Sequence, residues 1–360
     1  VTFEEVRTYI RREDNASSAL SSRDVRFSTG RYQRDEASGL YRLETGSIEG
    51  SVAEGSLRID SLSYAPPMDD RTFYSHFDRR RTRYRLTIRQ LVYGEIDYRA
   101  LIREHRFRTE DLHIRGAVLD AFIDKRLPER SEQSRMMPGD LADTLGLDIA
   151  VDSLHLRGMD IEYAIQPDHG GPRGRISFTN TTGIVTNITT SPFADTLRST
   201  VGARLASTAA DTARMVVNIE LPLSNNRVAA RYEGHVKTFD PTAFNSMIVP
   251  NNGIEITGGT ADSLWFSAEV GLDQATGSFH GIYRDLDFRF IDPTGRDRSL
   301  RDILQTFAFQ TFRLRPSNTP GGDDPLRVGE IRHEREPTDS FVKYLWHSLR
   351  SGIISLVSSG

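Results

Sequence analysis

The stretch GIEITGGTADSLWFSAEVGLDQATGSFHGIYRDLDFRFI, from Gly253 to Ile291, decides the fold class. Leu264, Phe266, Ala268 and Val270 fall on one side of an extended backbone, with Trp265, Ser267, Glu269 and Gly271 on the other. That is the period of two expected for a strand with one apolar face. Asp273-Gln274-Ala275-Thr276-Gly277 reads as a turn ending in Gly. The alternation resumes through Phe279, Gly281 and Tyr283, then through Leu286, Phe288 and Phe290 against Asp287 and Arg289. The stretch predicts a sheet with one greasy and one wet face. What covers the greasy face, protein or an apolar ligand, becomes the functional question.

Working outward, the same pattern fills most of the chain. Short strands are expected at Val25–Phe27, Leu40–Leu43, Ile48–Val52 and Leu57–Tyr64, ending at Pro66-Pro67, since proline cannot donate to a ladder. Tyr84, Leu86 and Ile88 read as a strand, as does Phe107–Ile123 with Leu112, Ile114 and Val118 on its apolar side. Leu147–Ile165 is expected to bend at Gly158, Asp168–Pro172 to form a hairpin loop, and Arg175–Thr190 to form a long strand pair. Phe193–Thr212, rich in Ala, Ser and Thr, gives no clear element. Met215–Leu223 and Arg227–Lys237 predict a hairpin across Ser224-Asn225-Asn226, and Arg327–Arg335 a last strand. Helical turns are expected near Phe3, Val6 and Ile10, over Arg71–Arg80, over Ile96–Glu104, and after Asp240 as N-cap with Pro241 at the first position. Arg298–Arg313 and Ser340–Val357 read as amphipathic helices. Arg126–Gly139 is a polar, proline-bearing loop and a candidate sub-boundary near residues 126–140 of one elongated domain spanning residues 1–360.

The phrases Ser56-Leu57-Arg58-Ile59-Asp60-Ser61-Leu62, Asp111-Leu112-His113-Ile114, Asp152-Ser153-Leu154-His155-Leu156 and Asp262-Ser263-Leu264-Trp265-Phe266 recur, each a polar start before alternating apolar residues. Two readings stand: a strand-level repeat lining a continuous groove, or the ordinary signature of an antiparallel sheet.

With 360 residues, 37% hydrophobic and 27% charged, the chain can bury a large core, and gross disorder is excluded. A formal net charge of -4 gives no electrostatic reason to expect nucleic acid. Lys125, Lys237 and Lys343 are the sole lysines, and the arginines are interleaved with carboxylates. Cysteine is absent, which rules out disulfides, thiol catalysis and Cys-based zinc sites. No apolar run reaches the length of a membrane span. The first residue, Val1, is read as the start of a piece cut from a longer chain, so any anchor or export signal is expected in the missing part.

No catalytic motif is found: no nucleophile elbow, P-loop, H-E-x-x-H or dinucleotide turn. Gly170-Gly171-Pro172-Arg173-Gly174 precedes a strand rather than a helix and reads as a hairpin loop. Asp69-Asp70 and Asp323-Asp324 read as turn acids. His333 and Glu334 would point to opposite faces of a strand, and the other histidines are dispersed, so no metal or cofactor site is expected. On the terminal helix, Phe341, Tyr344, Leu345, Trp346 and Ile353 form an apolar stripe that either docks on the sheet as a lid or touches a membrane.

The runs Tyr84-Arg85-Leu86-Thr87-Ile88, Gly94 to Leu101 and Asp124-Lys125-Arg126-Leu127-Pro128 resemble the large AsmA-like proteins of Bacteroidetes-type bacteria. Gly329 to Arg335 followed by Ser340 to Trp346 looks like the closing segment of that group. The resemblance covers Leu57 to Ile354 and rests on loose, mostly structural motifs. It implies an envelope protein held in the inner membrane by an N-terminal helix, with a long periplasmic β-groove similar in design to TamB and the chorein-related lipid bridges. It also implies that phospholipid passes along an apolar trough in outer-membrane biogenesis, and it brings no catalytic residues. The chain departs from the pattern in lacking the anchoring helix.

The sequence therefore predicts a mainly β protein: a long antiparallel, strongly curved sheet with a few short helices and a C-terminal amphipathic helix. It is expected to be a non-enzymatic periplasmic domain that binds or conducts acyl chains, with membrane contact through the missing N-terminal part. The candidate lining is Leu264, Phe266, Val270, Phe279, Leu286, Phe288, Phe290, Leu86, Ile88, Leu112 and Ile114. The alternative is an envelope scaffold whose apolar face is covered by its own helices. A glycan hydrolase with paired carboxylates is a third reading.

Overall fold

A computed structural model describes residues 2–4, 7–9, 19–21, 24–129, 148–190, 200–223, 228–291, 313–321, 325–336 and 339–359, with the backbone alone before residue 24 and at a few segment ends. Alternating apolar and polar residues produce strands β1 (Thr2–Glu4), β2 (Arg7–Tyr9), β3 (Ala19–Ser21), β4 (Asp24–Thr29), β5 (Tyr32–Asp35), β6 (Arg42–Thr45), β7 (Ile48–Ser51) and β8 (Ser56–Ala65). Helix α1 (Asp70–Tyr74), β9 (Thr82–Gly94), helix α2 (Tyr98–Glu104), β10 (Arg106–Asp124), β11 (Asp148–Gln166) and β12 (Gly174–Thr189) follow. Next come β13 (Thr200–Ala209), β14 (Ala213–Pro222), β15 (Val228–Phe239), a 3-10 turn (Pro241–Phe244) and helix α3 (Asn245–Asn252). The chain continues through β16 (Ile254–Gly271), β17 (Gln274–Phe290), β18 (Arg313–Leu314), β19 (Val328–Glu334), helix α4 (Phe341–Val357) and β20 (Ser358–Ser359).

Among the described residues, sixteen strands form one sheet, mostly in chain order from β1 to β19, and its edge strands do not pair to close it. The sheet coils strongly. Lys343 Nζ on α4, which packs on β17 and β19, lies 3.1 Å from Glu129 Oε1, just beyond the end of β10. Eight strand steps separate β10 from β19, which on a flat sheet is about 38 Å. The ion pair therefore requires the sheet to bring its distant parts together.

Two helix starts follow capping rules. Asp69 accepts from the Thr72 N–H and Asp97 from the Ala100 N–H. As expected, Asp240 caps the turn that begins at Pro241; the structure adds a cap at Ser340, which accepts from the Lys343 N–H at the start of α4.

Several expectations are corrected. The N-terminal segment holds strands β1 and β2 where helical spacing of Phe3, Val6 and Ile10 suggested a helix. Helix α1 stops at Tyr74 instead of running to Arg80. The Arg175–Thr190 segment is one strand, not a pair, and the turn between β16 and β17 is the two residues 272 and 273. The sheet is not wholly antiparallel: β10 and β11 pair in parallel along nearly their whole length, Phe107 opposite Ile149 and Ile123 opposite Ile165. A parallel pair needs a crossover that carries the chain back to its starting side; most of that connection, residues 130–147, lies outside the described residues. So do the expected turn at Ser224-Asn225-Asn226, the acids Asp323-Asp324, and nearly all of the expected helix Arg298–Arg313.

Val118 is exposed on the wet side rather than apolar-facing, and the reason is a phase slip. Gly116 has a positive φ of 60° and lies between the pairs Arg115–Gln90 and Ala117–Ile88, which keep one register. The left-handed residue moves the alternation by one place without an insertion, so Ala117, not Val118, joins Ile114 in the core. Ser61 (φ 53°), Gly158 (φ 65°) and Asn180 (φ 50°) mark similar slips in β8, β11 and β12. Together they form a crease across the sheet. Two of the recurring phrases coincide with a change of face: Ile59 and Leu62, and likewise Val151 and Leu154, share one cluster despite opposite parity. A register shift also precedes Leu264, between Ala261 and Ser263.

Candidate apolar groove

Register across the sheet lines up apolar side chains strand by strand. One ladder runs Ile59–Leu91–Ile114–Leu156–Gly183–Leu205–Val217–Gly234–Phe266–Phe279–Gly329. Its neighbour runs Leu57–Tyr93–Leu112–Leu154–Val185–Ala203–Ile219–Tyr232–Ala268–Gly277–Ile331. From β8 to β19 neither ladder contains a charged residue. Between them, facing the other way, runs Arg58–Val92–His113–His155–Ile184–Arg204–Asn218–Glu233–Ser267–Ser278–Glu330, which is largely polar. Gly234 is small because the Phe266 ring lies across it and would collide with a Cβ there.

Coverage of the ladders changes along their length. Under α4, Phe266, Phe279, Tyr232, Ala268 and Ile331 are buried together with Tyr344 and Leu356. Phe341, Leu345, Leu349 and Ile353 pack against the same cluster. Over β12 and β13, by contrast, Val185, Ala203 and Leu205 are only half-buried, and Val217 and Ile219 of β14, also half-buried, form the margin of the α4-covered cluster. The cluster around Ile88, Leu91, Leu112 and Val151 contains no helical residue. A third cluster, Phe73, Tyr74, Phe122 and Ala164, is where α1 caps the far ends of β10 and β11. The hydroxyls of Tyr93 and Tyr232 are pushed up in pKa by burial, as suits an apolar surrounding.

The lining residues expected from the sequence divide between two ends. Phe266, Val270, Phe279 and Leu286 are core residues under or beside α4, and Leu264 and Phe288 pack on that core. Phe290 is half-buried opposite Ile254. Leu86, Ile88, Leu112 and Ile114 belong to the separate helix-free cluster. The switch from Tyr283 to Leu286 is another phase slip, at Asp285 with φ 52°. On α4, Phe341, Tyr344, Leu345 and Ile353 face the sheet, while Trp346 points outward at 54% exposed and is not part of the lid face. Among the described residues no helix is long and apolar enough to cross a membrane.

Sequence reasoning missed the middle of the ladders, Ala203, Leu205, Val217 and Ile219. The Ala/Ser/Thr-rich composition of β13 hid its alternation, although Val217, Ile219 and Leu221 show the period. It also missed two side-chain trios that spacing had kept apart. His113 and His155 stack on the parallel strands β10 and β11 at 4.7 Å between ring centroids, beside Asp111. His333 on β19 and His347 on α4 converge on Asp339 between them.

No protein-family model and no curated protein matches this chain.

Proposed function

We propose that the two-ladder face binds or conducts lipid acyl chains, in a non-enzymatic role in envelope assembly. The observation that carries the reading is an uncharged apolar surface that crosses the sheet unbroken and stays half-exposed over β12–β14. An acyl chain needs contact area and no directional partner, and each buried methylene contributes about 0.8 kcal/mol. A chain of roughly ten methylenes laid along the ladders thus gains about 8 kcal/mol before its own ordering cost. Exposed contiguous apolar surface marks interaction sites of this kind. The resemblance to AsmA-like and TamB-like proteins supports the same ligand class, and with it our proposal of action in the periplasm of a Gram-negative envelope, anchored to the inner membrane in the full-length protein.

A second reading, a scaffold with a self-covered core, draws support from the docking of α4 over the β15–β19 end of the ladders. Native mass spectrometry of chain purified without detergent, followed by photo-crosslinking of a diazirine phospholipid, separates the two. Acyl adducts at Leu205 and Val217 but not at Glu233 or Ser267 support lipid binding. Lipid-free protein with no adducts on the ladders overturns it.

A further inference from the structure

Asp339 is 1% exposed, and its carboxylate is surrounded by side chains from two elements, β19 and α4. His333 Nε2 lies 3.0 Å from Asp339 Oδ2, and His347 Nδ1 lies 3.4 Å from Oδ1. The three ligand atoms all lie within 4.8 Å of one another. Four-coordinate zinc holds imidazole nitrogen and carboxylate oxygen at about 2.0–2.2 Å, which puts neighbouring ligand atoms about 3.3 Å apart. The carboxylate thus lies at ligand-to-ligand distance from each imidazole, one through each oxygen. Oδ1 is fully buried, with no aligned hydrogen-bond donor and only the longer ion-pair contacts to Lys343 and His347, whereas Oδ2 accepts from His333 and from the Glu336 N–H. A buried carboxylate needs a cation beside it, and Lys343 fills that place when no metal is bound.

We propose that His333, Asp339 and His347 bind one zinc ion, with water completing the shell, and that the ion clasps α4 to β19. The donor set, two imidazoles and a carboxylate, suits a borderline transition ion rather than calcium or magnesium. Lys343 Nζ, 3.3 Å from Oδ1, is the carboxylate's neighbour in the metal-free arrangement. It also donates to Glu129 Oε1 at 3.1 Å, so its flexible stem can leave Oδ1 to the ion while keeping that second partner. Arg335 touches only the Asp339 main-chain oxygen and leaves the carboxylate accessible to the metal. The other trio, Asp111, His113 and His155, is less buried and carries no comparably buried carboxylate, which makes it the internal control. This inference is independent of lipid binding.

The test uses the full chain, stripped with chelator and titrated with zinc chloride by calorimetry. One equivalent is expected to bind to the wild type, with the thermal midpoint rising because only the docked helix offers all three ligands. H333Q and H347Q are each expected to weaken binding at least ten-fold, while H155Q leaves it unchanged. Zinc absorption spectroscopy on the singly loaded wild type covers the case where a variant misfolds, and two imidazole nitrogens are expected in its shell. Absence of binding, an all-oxygen shell, or loss with H155Q but not H347Q overturns the proposal.

Discussion

The hydroxyls of Tyr232 on β15 and Ser348 on α4 lie 2.7 Å apart, both buried. Ser348 Oγ also sits 2.7 Å from the Leu345 carbonyl, which takes its single proton, so Tyr232 is the donor across the interface. This polar contact fixes where the helix sits on an otherwise apolar ladder. Ser348→Ala leaves the Tyr232 hydroxyl buried without an acceptor and is expected to cost about 1–3 kcal/mol. Tyr232→Phe removes the donor while Ser348 keeps Leu345, so about 1 kcal/mol is expected. Urea unfolding of both variants checks the order; a larger loss for Tyr232→Phe contradicts it.

The helix also depends on two glycines meeting across the interface. A Cβ on Gly329 of β19 would run into the Gly352 carbonyl oxygen, and a Cβ on Gly352 would come within 2.8 Å of Phe279 Cβ. Backbone atoms cannot rotate away as side chains do, so the helix itself has to lift. Gly352→Ala and Gly329→Ala are each expected to destabilise by about 1–3 kcal/mol, although alanine is the better helix former. Limited proteolysis is expected to cut within α4 first in both variants, and unchanged cleavage kinetics would contradict the prediction.

The crease makes a prediction about backbone conformation. At Gly116, φ is 60° and the Arg89 side chain lies 3.2 Å from where a Cβ would be. Gly116→Ala is expected to cost about 1–2 kcal/mol from the left-handed conformation alone. Asn180 holds φ 50° with an exposed side chain and keeps its bond from the backbone N–H to Asp160 through any substitution. Asn180→Gly is therefore expected to lie within about 0.5 kcal/mol of wild type. Thermal denaturation of the pair checks that conformation, not side-chain contact, sets the cost.

These slips also explain how much of the fold could be read from the sequence. The alternation from Leu264 to Val270 is uninterrupted and gave strand, face and core together. Phe107–Ile123 gave the strand but the wrong side for Val118, because a single left-handed glycine changes phase without changing the composition. Pairing direction was beyond reach: nothing in Arg106–Asp124 or Asp148–Gln166 distinguishes a parallel neighbour from an antiparallel one. The same long-range register hid the groove's middle and the meeting of His333 with His347, residues that only the docking of α4 brings together.

Asp124, at the end of β10, ties the turn that follows it. Its carboxylate accepts from the Arg126 backbone N–H at 3.0 Å and from Arg126 NH2 at 2.6 Å. Burial pushes the carboxyl pKa up, but the Arg126 hydrogen bonds and charge outweigh it, and the folded value lies below the ordinary one. A depressed carboxylate pKa stabilises the fold above the unfolded value of about 3.9 and loses that contribution as pH falls through the folded value. Asp124→Asn is expected to be less stable than wild type at neutral pH and to converge with it in acid. Unfolding midpoints that stay equally separated from neutral pH down to the acid limit would rule out this linkage.

The face of the sheet, rather than its stability, should govern lipid capture. Leu205 lies half-buried on a ladder between Gly183 and Val217, whereas its cross-sheet neighbour Ile184 is 43% exposed on the opposite, polar face. Both substitutions replace a partly exposed aliphatic side chain by a cation, so similar stability changes of about 1 kcal/mol or less are expected. Their effects on binding should differ. Leu205→Lys interrupts the apolar path with a charge that an acyl chain would have to desolvate, and diazirine-lipid labelling is expected to fall at least five-fold. Ile184→Lys leaves both ladders intact, and labelling should match wild type. Equal labelling in all three proteins would mean that the ladders are core and not groove, since a surface that carries acyl chains cannot be indifferent to a cation placed in its middle.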